Sequence, residues 1–532
     1  MVARSLLEFL DISTAKYASA DAFVYGETRL TYQYFAGVVS RLASGFAGLG
    51  LQRGDRVAIM IPNLPQFPLV YYALLTLGVQ VIPLNILARE AEIAAILNET
   101  QAAGFVAWEG FGRYVIPAAK KVASCQLYVI LGNLSAEQRE ASKPNTCVEL
   151  TKLVSESQPL AKRPAINADD TALILYTSGT TGAPRGVVLT HENAAAAVLA
   201  CWEAFNITAE HRFAAALPLF HSLGHMLTMN VTLAAGACCV LIPRINVDEI
   251  ISTIAREKIT HFVAVPSMLP LLLDGQGGNG SVQTATETET AEAVAPNDPL
   301  SSLQVFLVSG ARMEDHLREA LLQRFGKPIY EGYGVAECPP LITTNRPDIA
   351  IKSGSVGKQL PGLEVTIFDA HGIELPPGQV GEIVVRGGAI MKGFYNRPEE
   401  TQQALRDGWL LTGDLGWMDT SGYLYLADRK KDVIKKGGFL VFSQEVERCL
   451  ISHPKIRECA VLGVTDRALV EEVKAYIVLR QNETATKEEL ASYCASRLAA
   501  YKIPQHFEFC SDLPHGPTGK ILKRMLRERS SN

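Results

Sequence analysis

The sequence predicts an α/β protein, with a large multi-subdomain N-terminal region of parallel-rich sheets that includes a β-rich subdomain, followed by a small α+β C-terminal domain. Three observations predict this. Strand and helix patterns alternate through residues 1–160. Short strands separated by Gly and Pro turns run through residues 356–385. A charged run, Asp428-Arg-Lys-Lys-Asp432, precedes a last segment with its own helix and strand patterns. Repeated strand–helix–strand units favour parallel strands covered by helices, and 532 residues exceed what one compact core accommodates.

In chain order, Thr31 stands before a helical pattern (Tyr32, Phe35, Val38, Val39, Leu42, Phe46) that ends at Gly48 and Gly50. Residues 56–62 (RVAIMIP) read as a buried strand, 63–77 as a helix and 79–83 as the next strand. Residues 170–177 (DTALILYT) form another buried strand leading into a Ser/Thr/Gly loop. Residues 274–299 are rich in Gly, Thr, Glu and Ala and poor in large apolar side chains, which predicts a flexible surface insertion without a catalytic role. Hairpins are predicted over 356–385, within a β-rich subdomain at about 350–428. The large domain is expected to span 1–428 and the small one 429–532. The small domain should hold a helix at 444–452, strands at 460–463 and 473–479, a helix at 487–498 and a strand around Phe507.

Composition narrows the function. Lys and Arg total 50 against 55 Asp and Glu, a formal net charge of −5, so no basic excess points to nucleic acid. Ten cysteines form no CxxC pair, which argues against structural zinc, and a chain of this length has no need of a disulfide framework. The opening MVARSLLEFLDIS is interrupted by Glu8 and Asp11 and lacks the apolar core of a signal peptide. No apolar run reaches the roughly 18 residues of a membrane span. Ser530-Ser-Asn is not a peroxisomal address. The expected location is the cytoplasm.

The densest chemical signal is Tyr176-Thr-Ser-Gly-Thr-Thr-Gly-Ala-Pro-Arg-Gly186. Thr177, Ser178, Thr180 and Thr181 supply hydroxyls, Gly179 and Gly182 supply freedom, and Arg185 supplies charge. Glycines let backbone approach an anion, and N–H groups with hydroxyls can wrap phosphate oxygens. The spacing does not fit a Walker loop. In Glu331-Gly-Tyr-Gly-Val-Ala-Glu337, Tyr333 lies between Gly332 and Gly334 with a face suited to stacking on a base, and Glu337 is a carboxylate suited to a divalent cation on phosphates. Alone, Val308-Ser-Gly-Ala-Arg312 reads as a strand end and Trp409-Leu-Leu-Thr-Gly-Asp414 as a turn. Asp428–Asp432 would by itself be a solvated charge cluster, and Lys435-Lys-Gly-Gly438 a turn. Leu513-Pro-His-Gly-Pro-Thr-Gly-Lys520 sets a lysine on a Gly/Pro-rich loop. His221 and His225 are spaced i, i+4, but a third metal ligand is missing.

In this order, and over nearly the whole chain, these motifs resemble those of the adenylate-forming superfamily: acyl- and aryl-CoA synthetases, luciferases and nonribosomal peptide adenylation domains. Fatty acyl-CoA ligases are the nearest in appearance. The resemblance implies ATP, Mg2+ and coenzyme A as cofactors. It implies that residues 177–182 and Arg185 hold the phosphates, and that Tyr333 stacks on adenine within Glu331–Gly334, opposite Gly310 and Ala311. Glu337 would ligate Mg2+, and Asp414 and Arg429 would hold the ribose. Lys431 would be the hinge of a mobile small domain. Lys435, Lys436, Gly437 and Gly438 would line the pantetheine tunnel in the thiol-transfer state. Lys520 would contact the carboxylate and α-phosphate, where joining two anions calls for a cation that acts in the transition state. His221 would lie between acyl pocket and nucleotide and move to open the tunnel. His225 receives no role.

Four positions depart from the family pattern. Arg185 stands where Lys is usual, and a fork is not equivalent to a point charge. Ala336 replaces a Thr whose hydroxyl would contact phosphate. Ser443 replaces a Pro, and Val470 replaces the Gly before Glu471. Glu337, Asp414, Arg429 and Lys520 remain, so an active enzyme is expected. Its predicted reaction is ATP-dependent acyl-adenylate formation, then thioester formation with coenzyme A. The apolar or small wall formed by 221–226, 265–268, 308–311 and 330–334 favours a medium- or long-chain fatty acid, with an aromatic acid second. The alternatives are loading of an acyl carrier protein, a luciferase-like oxygenase, or a non-catalytic nucleotide-binding homologue. The expected partners are small molecules and the expected state a monomer or homodimer.

Overall fold

Side-chain caps set where the first helices begin. In the computed structural model, Ser5 accepts Glu8 N at 3.2 Å to start Leu6–Lys16, and Thr31 accepts Tyr34 N at 3.2 Å to start Tyr32–Gly48. The structure describes residues 4–133, 135–142, 145–177, 184–243, 246–274, 300–311, 313, 315–436, 439–465, 471–516 and 520–530. Most of the predicted insertion at 274–299 lies outside them. The helix Gln66–Thr76 is buried on every face from Phe67 to Thr76, so it shows no amphipathic stripe and sits in the main core.

Among the described residues, two large mixed sheets form the N-terminal region. One has eight strands, in the order Gly393–Phe394, Arg185–Thr190, Thr171–Thr177, Gln80–Pro83, Arg56–Met60, Gly104–Trp108, Leu127–Leu131 and Thr146–Glu149. Its last six strands run parallel, as the strand–helix alternation predicts. Arg185–Thr190 is antiparallel to Thr171–Thr177, because the short connection between them leaves no room for a crossover helix. The second sheet has nine strands. Its parallel centre holds Arg212–Ala215, His261–Ala264, Val305–Ser309 and Ile329–Val335. The hairpin Asp21–Tyr25/Thr28–Thr31 completes that sheet at Cys238–Leu241.

The predicted hairpin region is an antiparallel sheet of Leu363–Phe368, Gly381–Gly387, Trp409–Met418, Leu405–Arg406 and Leu424–Arg429. The small C-terminal domain packs Ser443–Ile451, Lys487–Ala495 and Lys523–Ser530 around Ile456–Thr465, Glu471–Leu479 and His506–Phe509. Sequence patterning missed Lys523–Ser530. That helix is highly charged and, among its described side chains, buries only Leu526 fully, so it carries no apolar periodicity. No helix among the described residues is long and apolar enough to cross a membrane.

Candidate active site

The parallel strands of the second sheet end together at its carboxyl edge, the usual place for a ligand in an open α/β sheet. Ile329–Val335 turns back into Cys338–Thr344 through Ala336–Glu337, with Val335 paired to Cys338. Glu337 therefore stands at a hairpin tip. A Cβ on Gly334 would lie 2.3 Å from Pro340 O, so only glycine allows the two strands to approach here. Gly310 closes the neighbouring strand with φ +90°, over Val265 and Leu223. The four segments predicted to wall an acyl pocket thus border one another.

Tyr333 is buried, and its hydroxyl donates to Asp414 Oδ2 at 2.8 Å. Burial, then the charge of Asp414, push the phenol well above its ordinary range. Asp414 sits opposite Arg429 in strand register, with Arg429 Nε 3.1 Å from Oδ1. Thr412 Oγ1 accepts Asp414 N at 3.2 Å and donates to Ile383 O at 2.7 Å. The carboxylate is thereby set on a braced strand rather than a free turn.

Burial raises the Glu337 carboxyl above the usual range, and Asp414 pushes it further. Arg185 and Arg429 act in the opposite direction. Four of the predicted residues therefore share one electrostatic site. Arg185 Nη1 donates to Glu400 Oε2 at 3.1 Å.

Lys520 reaches the same site from the small domain. Its side chain is exposed at the surface, yet the surrounding protein desolvates its ammonium. That burial, with Arg429 adding repulsion, holds it down to about 8, while Asp414 and Asp432 draw it up and Lys431 lowers it. Burial and then Lys520 in turn hold His221 at about 4. Leu223 N donates to His221 Nδ1 at 3.4 Å, so the neutral ring carries its proton on Nε2. Lys520 thus stands within electrostatic reach of both His221 and the Asp414–Arg429 pair.

His225 turns elsewhere. It is fully buried, with Nδ1 3.0 Å from Leu219 O and its ring edge-on to Tyr71. Burial holds it at about 4. It is a neutral core histidine, and the i, i+4 pair does not converge on one site.

Asn63 was not singled out by the sequence. It is buried; its Nδ2 donates to Ala215 O and Leu217 O, and its Oδ1 accepts Leu219 N. It fixes the loop that presents His221. In the sequence it looks like any polar residue before a helix.

Other predicted residues are tied differently. Glu331 forms an ion pair with Arg318. Lys435 N donates to Glu471 Oε2 at 2.6 Å, and Lys436 Nζ is 2.9 Å from Glu472. Lys431, held near 8 by burial, is flanked by the Lys430–Glu382 and Arg527–Asp432 ion pairs. Ser443 Oγ donates to Asp428 Oδ1 at 3.2 Å and accepts Lys523 Nζ at 2.8 Å, so this departure from the expected pattern bridges the end of the strand Leu424–Arg429 to the last helix. Thr177 pairs with Arg185 across the hairpin Thr171–Thr177/Arg185–Thr190. Ser178, Gly179, Thr180, Thr181, Gly182, Gly437 and Gly438 lie outside the described residues.

A two-part architecture with Lys520 set against His221, Asp414 and Arg429 is that of an adenylate-forming ligase. The chain belongs to the family of AMP-binding enzymes: residues 10–395 match the AMP-binding enzyme model, and residues 445–520 match its C-terminal domain. It is 32% identical over 552 aligned positions to a long-chain-fatty-acid–CoA ligase of Bacillus subtilis, covering 99% of this chain and 95% of that one. A long-chain-fatty-acid–CoA ligase of Escherichia coli O157:H7 is 30% identical at the same coverage. Among solved structures, ATP-bound MatB from Rhodopseudomonas palustris is 27% identical, with a TM-score of 0.87 over 99% of both chains. The o-succinylbenzoate coenzyme A synthetase of Bacillus subtilis with ATP and magnesium is 28% identical, with a TM-score of 0.81 over 98% of this chain and 99% of that one.

Proposed function

We propose that this enzyme joins a medium- or long-chain fatty acid to coenzyme A, in two steps driven by ATP. The observation that carries this reading is the placement of Lys520 against His221 and the Asp414–Arg429 pair. In the first step a carboxylate oxygen attacks the α-phosphorus, the bond to pyrophosphate breaks, and acyl-AMP forms. Lys520 offsets the charge gathered between the two anions. Asp414 and Arg429 receive the ribose, and Tyr333 forms the adenine wall with Gly310 and Ala311. Neutral His221 offers an Nε2–H donor to the carboxylate, while Thr177, residues 178–182 and Arg185 hold the phosphates.

Glu337 fits a Mg2+ ion. It is an oxygen donor at a hairpin tip, it forms no ion pair among the described residues, and Mg2+ needs only one or two carboxylates beside substrate phosphates. Bound there, the ion would neutralise phosphate charge.

In the second step the domain 429–532 turns about Lys431 against the domain 1–428, Lys520 withdraws, and the hairpin carrying Lys435–Gly438 lines the thiol path. The thiol of coenzyme A attacks the acyl carbon and AMP leaves. The bordering apolar segments and the long-chain relatives together support a fatty acid.

Carboxylate-dependent ATP–pyrophosphate exchange across fatty, aryl and amino acids, with and without coenzyme A, tests the reading. Exchange with a fatty acid, converted to acyl-CoA and AMP when coenzyme A is added, is expected. Absence of exchange with every acid would overturn it.

A further inference from the structure

The hairpin Thr171–Thr177/Arg185–Thr190 brackets the phosphate loop, and a chain of alternating charges grips both of its stems. At the entry stem, Tyr176 donates its hydroxyl to Glu99 Oε2 at 2.8 Å. Glu99 closes the helix Glu90–Glu99, and its Oε1 accepts from Arg397 Nη2 at 3.0 Å and Nε at 3.3 Å. Arg397 reaches onward with Nη1 to Glu400 Oε1 at 3.0 Å. The other oxygen of Glu400 takes Arg185 Nη1, at the exit stem, at 3.1 Å. Arg185 also lies over the Phe394 ring, 4.7 Å from its centroid. Its Nε is buried with no hydrogen-bond partner among the described residues. The Arg397 hydrogen bond is the largest influence holding the Glu400 carboxyl below its usual range, and Arg185 adds to it.

These side chains are about a quarter to a third exposed, and ion pairs so exposed contribute little to stability. Their geometry, however, is specific. One fork-shaped guanidinium spans two carboxylates, and each carboxylate holds a different stem of one loop. Thr177 and Arg185 are opposite one another in register, so fixing both stems fixes the mouth of the loop.

We propose that Arg397 is a positioning residue for nucleotide capture: by bridging Glu99 and Glu400, it holds Tyr176 and Arg185 so that Arg185 retains a buried, unspent donor for a phosphate oxygen. The proposal rests on the reading that Arg185 meets the nucleotide. Arg397 itself does not touch substrate.

The test measures ATP–pyrophosphate exchange for the full chain and for Arg397→Gln, Arg397→Lys, Arg185→Gln and the double variant Arg397→Gln/Arg185→Gln, with melting temperatures. Arg397→Gln is expected to raise KM for ATP about tenfold, the scale of one charge-assisted hydrogen bond, with KM for the acid held within about twofold and melting little changed. Arg397→Lys keeps charge but not the fork, and should recover only part of that loss. The double variant should be little worse than Arg185→Gln alone, since both act through one side chain. If Arg185→Gln raises KM for ATP while Arg397→Gln does not, or if the two losses multiply, the positioning role is wrong. If Arg185→Gln leaves KM for ATP unchanged, the nucleotide role of Arg185 fails instead. A fall in melting temperature with no change in KM for ATP would assign Arg397 to stability alone.

Discussion

The Tyr333 hydroxyl donates to Asp414 Oδ2 across 2.8 Å, linking the nine-stranded sheet to the antiparallel sheet that ends at Arg429. Asp414 is therefore held from two sides, by Tyr333 and by Arg429 at 3.1 Å. Removing only the hydroxyl leaves the aromatic face intact. Tyr333→Phe should raise KM for ATP about three- to tenfold, the scale of one hydrogen bond to a charged group, and Tyr333→Ala should cost more because stacking is lost as well. Equal effects of the two substitutions would show that the ring face contributes nothing.

Lys520 should give the first half-reaction an alkaline limit. Its ammonium is held down to about 8, so it is charged below that pH and loses its proton as pH rises through it. The kcat/KM of exchange, which reports the free enzyme, should fall above pH 8. Lys520→Arg should move that limb to higher pH, and Lys520→Ala should lower exchange about 100-fold or more. Coenzyme A transfer from preformed acyl-AMP should change little in Lys520→Ala. Equal losses in both half-reactions would contradict a role confined to adenylation.

His221 makes the opposite prediction. Burial and Lys520 hold it at about 4, so the folded enzyme keeps this imidazole neutral from pH 6 upward. Exchange should therefore show no acid limb near the ordinary histidine range. A limb near pH 6.5 that disappears in His221→Gln would show that the ring works as a cation.

Much of this was legible in the sequence, for a physical reason. The central strands are buried on both faces, so they appear as continuous apolar runs such as 56–62. The motifs around Tyr333, Asp414 and Lys520 are short and local. Contacts between distant segments were not legible. Arg397 and Glu99 are 298 positions apart, and nothing in either neighbourhood names the other. Asn63 and the strand Asp21–Tyr25 escaped because their partners, Leu217 and Cys239, are likewise remote. The charged helix Lys523–Ser530 has, among its described side chains, a single fully buried anchor, too little to leave a period.

Gly334 should tolerate no side chain. A Cβ there would meet Pro340 O at 2.3 Å and Leu341 Cα at 2.9 Å, both main-chain atoms that cannot swing aside. Gly334→Ala should destabilise the hairpin by about 1–3 kcal/mol and displace Glu337 at its tip. Thermal unfolding reads the first effect, and the Mg2+ concentration needed for half-maximal exchange reads the second. A variant unchanged in both would show that the hairpin relaxes without cost.

Ser443 joins the two sides of the hinge proposed at Lys431. Its hydroxyl donates to Asp428, before Lys431, and accepts from Lys523 in the last helix. Burial raises the Asp428 carboxyl, and Lys523 is the first of the influences that oppose this, so the shared hydroxyl matters to both charges. These contacts accompany the arrangement in which Lys520 stands against His221. Ser443→Ala removes them without changing the backbone, and should disfavour this arrangement by about 1–2 kcal/mol. Exchange should then slow several-fold, while transfer from preformed acyl-AMP to coenzyme A should hold or rise, because the competing orientation becomes more populated. If both half-reactions slow together, Ser443 stabilises the small domain itself and does not bias its rotation.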